Sequence, residues 1–166
     1  MLKLDDRDLK ILSILQKEGR ISKTALAERV NLTPAPCWER LKRLEEAGVI
    51  TGYRAEVALS RITPHVVVFM AVELAGHRAE NFQLFERAVQ RIDEVVGCWA
   101  VGGGFDYILQ VVARDIDAYQ RLVDGLLEAR LGLQRYFTYI VTKPVKHPRG
   151  MPLDVLLSEP AGTQKK

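Results

Sequence analysis

The sequence is that of an α+β protein, on three observations. Residues 4–48 carry apolar side chains at helical spacing, punctuated by helix caps. From His65 the period changes, and strand-like runs then alternate with helix-like ones. The strand–helix–strand order occurs twice, joined by a glycine-rich turn, "VGGGFDY". Three short helices followed by a strand pair read as an N-terminal winged helix-turn-helix. The repeated unit reads as a C-terminal ferredoxin-like βαββαβ domain. The 166-residue chain is accordingly expected to divide into residues 1–60, residues 61–146 and an extension over 147–166.

In "LDDRDLKILSILQKEG", Leu9, Leu12 and Leu15 are assigned to one face with Ile11 beside them. Asp5 suits the N-cap, Asp6 and Asp8 favour the positive helix start, and Gly19 stops the helix. "SKTALAERVNL" gives a second helix, capped by Ser22 and ending near Asn31. The third has Thr33 as cap, Pro34 at its first position and Gly48 just past its end. "VITGYRAEVAL" then has strand-type residues around a turn at Gly52. In the second half "HVVVFMAVEL" is a strand, and "RAENFQLFERAVQRI" is a helix with Phe82, Phe85, Val89 and Ile92 on one side. "EVVGCWAV" and "FDYILQVV" are strands, "DIDAYQRLVDGLLEA" a helix and "QRYFTYIVTKPV" the last strand. The polar tail "SEPAGTQKK" is expected to fray.

Composition narrows the function. A formal charge of +3 is only mildly basic, so the distribution of charge matters more than its sum. Asp5, Asp6 and Asp8 occupy the place of a signal peptide's apolar core, and the apolar run over residues 66–72 is far too short to span a bilayer. Cys37 and Cys98 have no CxxC partner, which suits small buried hydrophobes in a reduced, cytoplasmic protein. His65, His77 and His147 are scattered and read as solvated. No nucleophile–base or carboxylate pair is arranged for catalysis, so neither an enzyme nor a cofactor is expected. In the first strand Val66, Val68 and Met70 face one way, and Val67, Phe69 and Ala71 the other. Two helices cover only one face of such a sheet, so the other calls for a partner, most simply a second copy of the chain.

On the third helix, at about 100° per residue, Cys37, Leu41 and Leu44 turn inward, leaving Ala35, Trp38, Glu39, Lys42 and Arg43 outward. That face suits the major groove of double-stranded DNA. Lys42 and Arg43 serve phosphates or guanine, Glu39 a cytosine amino group, and Ala35 and Trp38 thymine methyls. Thr33 and the helix start can hold a phosphate, with Arg20, Lys23 and Arg54 as further electrostatic contacts. The glycine turn is no nucleotide cradle, because a strand follows it and no lysine is near. Two readings remain: a plain hairpin, and a zwitterion site in which bare amides of Gly102, Gly103 and Gly104 hold a carboxylate and Asp106 an ammonium.

The opening LDxxD, the "GRIS…LAERVNLTPAPC" run and "RLKRLEEAGVITGY" resemble the N-terminal domain of the leucine-responsive regulatory protein/AsnC family. "GGGFDYILQV" and "TYIVTKPVK" are similar to its C-terminal effector-binding domain, so the resemblance covers about residues 4–146. It implies a transcription regulator that dimerises through the ferredoxin-like domain and often assembles into octamers. It further implies a small amino acid or related amine as effector, bound near the hairpin at Gly102, Gly103, Gly104, Asp106 and Tyr107. The family hairpin usually has one glycine and then polar residues, where this chain has three glycines and Phe105. Two alternatives are a siroheme decarboxylase-like enzyme, which needs converging histidines, and a weakly specific architectural DNA binder.

Overall fold

The computed structural model describes residues 2–76, 78–146 and 150–157. The chain forms two compact units. One comprises the residues up to Glu56 together with the segment from Lys146, and the other runs Val57–Val145. The division thus falls at 56/57 rather than at 60/61, and the described part of the extension is not separate but joins the first unit.

In the first unit α1 spans Asp6–Leu15, α2 Lys23–Arg29 and α3 Pro34–Glu46. Asp5 and Asp8 form a capping box, each side chain accepting from the other's backbone N–H. The buried face of α1 is Asp8, Ile11, Leu12 and Ile14. Leu9 and Leu15 are only half-buried. Leu15 is in line with this face and packs on the edge of the core, while Leu9, about 100° round from Asp8, lies to one side of it. Ser22 caps α2 by accepting from the Ala25 N–H. After α2 the chain turns through Asn31 at φ 55°, and Gly48 at φ 67° ends α3. Cys37, Leu41 and Leu44 pack inward with Ile11, Leu12, Leu26, Ala27 and Val30 as one core.

This unit is a winged helix-turn-helix whose wing lacks a ladder. Residues 49–58 contain no strand, against the expected strand pair around Gly52, and a 3₁₀ turn follows at Leu59–Arg61. A two-stranded ribbon alone is marginal in water. A hydrogen bond from the Tyr53 hydroxyl to Glu45 Oε1 (2.8 Å) and the packing of Ile50 on the core tie the loop down. Near the chain's end α6, Leu153–Leu157, lies against α1.

The second unit runs β1 (Val66–Leu74), α4 (Ala79–Val89), β2 (Val95–Ala100), β3 (Tyr107–Ala113), α5 (Ile116–Glu128) and β4 (Leu133–Ile140). The sheet order is β2-β3-β1-β4, every neighbouring pair antiparallel, which is the ferredoxin-like arrangement. Met70 sits opposite Leu109 and Thr138, which fixes the register. Val68, Met70, Val72, Leu109 and Val111 are buried with Phe85, Val89, Tyr119, Val123 and Leu126 of the helices. The other face is open. Phe69, Trp99, Phe137 and Tyr139 are 37%, 50%, 39% and 54% exposed there, so each forgoes roughly a third to a half of the ~1.5–3 kcal/mol of full burial.

Candidate DNA-reading face and ligand hairpin

On α3, Ala35, Trp38, Glu39 and Lys42 point to solvent. Trp38 is 41% exposed, and the Lys23 ammonium from the start of α2 lies 3.2 Å from its ring centroid. This cation–π contact fixes the indole and the ammonium together at the outer surface of the two helices. Lys42 Nζ is 3.5 Å from Glu46 Oε1, an exposed pair worth little and readily exchanged for a phosphate.

Arg43 is exposed as expected and also makes a contact that the sequence did not predict. Its Nη2 donates to Asp8 Oδ2 at 2.6 Å, while Arg40 Nη1 donates to Asp8 Oδ1 at 2.9 Å and to Asp5 Oδ2 at 2.6 Å. Asp8 is fully buried, and a buried carboxylate needs such partners. Arg43 therefore fastens α3 to α1 through one nitrogen, while its side chain stays 47% exposed. The Asp8 backbone N–H and the Arg40 guanidinium hold the Asp5 carboxyl down at about 2. Sequence reading missed Arg40 and this role of Asp8. The signal was there, since Asp5/Asp8 and Arg40/Arg43 are opposite charges in pairs one helical turn apart.

The start of α3 is a poorer anion site than expected. Thr33 makes no side-chain capping bond, and of the first three helical residues Pro34 and Pro36 have no N–H to donate. The amides of Thr33 and Ala35 and the Thr33 hydroxyl remain for a phosphate. Arg20 and Arg54 border one cleft with Lys17, of about 660 Å³, between the end of α1 and residues 49–56.

In the second unit the β2–β3 turn is closed by the Val101 N–H donating to the Asp106 carbonyl at 2.9 Å. Gly102, Gly103 and Gly104 are exposed, and a Cβ on any of them would meet no atom within 4 Å. Only Gly103, at φ 141°, needs glycine for its backbone. The Asp106 carboxylate accepts the Leu74 N–H at 2.7 Å, so it also secures the end of β1. Phe105 packs edge-on against Phe137, ring centroids 5.3 Å apart. Tyr107 corrects the expectation. It is buried against Phe82 and Phe85, its hydroxyl donating to Glu86 Oε1 at 2.8 Å, and burial pushes the phenol up. Its alternation with Asp106 puts it under the helices, away from a ligand at the hairpin.

His65 Nδ1 lies 3.2 Å from the Thr63 carbonyl oxygen, while His77, His147 and the tail over 158–166 fall outside the described residues. Burial pushes both cysteine thiols up. Among the described residues no cluster could hold a metal ion, and no helix is long and apolar enough to cross a membrane.

Residues 4–51 match the family model of winged helix-turn-helix DNA-binding domains, and residues 67–151 that of the Lrp/AsnC ligand binding domain. The chain belongs to the Lrp/AsnC family of transcription regulators. This Lrp/AsnC protein is 52% identical over 147 residues to the Transcriptional regulatory protein DoeX of Halomonas elongata, covering 89% of this chain and 93% of that one. It is 39% identical over 143 residues to the Leucine-responsive regulatory protein of Escherichia coli, covering 86% and 87%. A transcriptional regulator of Neisseria meningitidis, solved as its L-Met complex, matches with a TM-score of 0.87 at 35% identity, over 93% of this chain and all of that one. The exposed row on α3 thus lies in the DNA-binding domain of an Lrp/AsnC regulator, and the hairpin in its ligand-binding domain.

Proposed function

We propose that this regulator reads specific sites in double-stranded DNA with α3 and answers to a small amino acid or related amine bound at the hairpin. The observation that carries the reading is the outward row of Ala35, Trp38, Glu39 and Lys42, whose side chains the unit's core does not use. Trp38 and Ala35 offer apolar contacts to thymine methyls, and Glu39 accepts from a cytosine amino group. Lys42, Lys23, Arg20 and Arg54 meet phosphates, with the Thr33 hydroxyl and the Ala35 amide as weaker contacts. The proposed effector site uses amides of Gly102, Gly103 and Gly104 for a carboxylate and Asp106 for an ammonium. That the Neisseria relative was solved with L-Met supports this ligand class.

The protein works in the cytoplasm as at least a homodimer, joined through the open sheet face and able to assemble further to octamers. Two copies of α3 then call for a roughly palindromic site. The test is Lys42→Ala, measured by DNA binding against salt concentration. The slope of log affinity on log salt should fall by about 0.9 for each lost phosphate contact, with the helical signal unchanged. A slope equal to that of the parent overturns the placement of α3 in the groove.

A further inference from the structure

The described C-terminal segment is fastened to the first unit by the Gln16 amide and by the packing of Leu153. The Met151 N–H donates to Gln16 Oε1 at 2.5 Å, and Gln16 Nε2 donates back to the Met151 carbonyl at 3.4 Å. One side-chain amide thereby imitates the paired backbone bonds of a strand. Leu153 packs on the core of the first unit. Gly150 has φ 99°, and a Cβ there would come within 2.6 Å of Gln16 Oε1. The backbone thus favours glycine at 150, and a side chain there would push the Gln16 amide aside.

These residues share one cleft with the wing. Gln16, Met151 and Leu153 line it together with Val49, Ile50, Tyr53 and Arg54. Residues 49–58 have no ladder of their own, so a few anchors, the Tyr53–Glu45 bond and the packing along this cleft among them, decide where they lie. We infer that Gln16, Gly150 and Leu153 form a clasp that positions the wing, and with it the reach of Arg54 to the DNA backbone. The inference rests on the wing contact proposed above. Nothing in the winged helix-turn-helix match, which ends at residue 51, includes this segment. Gln16 and Leu153 are positioning residues, since they act through Arg54.

The test uses the full-length chain and a random-sequence 30-base-pair duplex, so no operator need be known. Binding is followed by fluorescence anisotropy over a range of KCl, at a temperature where circular dichroism shows the helices intact. Arg54→Ala should lower the salt slope by about 0.9 per protomer. Leu153→Asp should lower it by a similar amount, the combined variant should lose no more than either alone, and Leu153→Met should restore it. A merely stabilising segment would lower the melting temperature and leave the slope alone. If Leu153→Asp does not fold, Leu153→Ala and Gln16→Ala carry the same comparison. A parent-like slope in these variants while Arg54→Ala loses its contact overturns the clasp alone. An unchanged slope in Arg54→Ala overturns the wing contact and the clasp with it.

Discussion

Asp8 has no exposed surface, yet its oxygens serve Arg40, Arg43 and the Asp5 amide at once. Removing one side of a buried charge cluster leaves the rest uncompensated, at a cost of about 3–5 kcal/mol. Both arginines keep part of their hydration, so Asp8→Ala should lose about 3 kcal/mol, the lower end. Arg43→Ala leaves Arg40 in place and should lose about 1.5 kcal/mol, the low value for a charged hydrogen bond. Urea unfolding followed by Trp38 fluorescence in a Trp99→Phe background reads both. Parent stability in Arg43→Ala, with DNA affinity lost instead, would return that residue to the reading face. The pattern of a helix surface shows which residues point outward but not what they meet across a gap. Lys42 and Arg43 look equivalent in the sequence, and only the packing of α1 on α3 separates them.

Among the elements, the hairpin was legible in the sequence as a turn. Gly103 alone has a backbone that excludes other residues, so Gly103→Ala should destabilise the second unit by about 1–3 kcal/mol. Gly102→Ala and Gly104→Ala should stay within about 0.5 kcal/mol, since neither backbone nor space forbids a methyl group. If those two glycines serve a ligand, the same variants should weaken amino-acid binding in a calorimetric panel while melting normally. A large thermal loss in either would make them structural. The helices, caps and βαββαβ order followed from periodicity and punctuation, because these signals are local. The wing did not, since its strand-type residues find no partner to pair with. Tyr107 was misplaced because a strand's alternation gives two faces without naming the one under the helices.

At the scale of the whole molecule, the open face was legible from β1 alone, whose residues are apolar on both sides. Phe69, Trp99, Phe137 and Tyr139 now give that face definite members. Phe69→Glu places a charge among them without entering the helix-covered core. It should convert the full-length protein to a monomer by light scattering at micromolar concentration, and a persistent dimer would show that this face is not the interface. The return of residues 150–157 to the first unit was not legible, because Gln16 and Met151 are 135 positions apart and no local pattern links them. That return has a consequence for biosynthesis. Synthesis proceeds at about 5–20 residues per second, so about 5–20 s separate the emergence of residue 50 from that of residue 150. During that interval the three N-terminal helices can assemble, but the cleft beside α1 has no C-terminal wall. The DNA-binding unit of a nascent chain is finished only after the entire ligand-binding unit has left the ribosome.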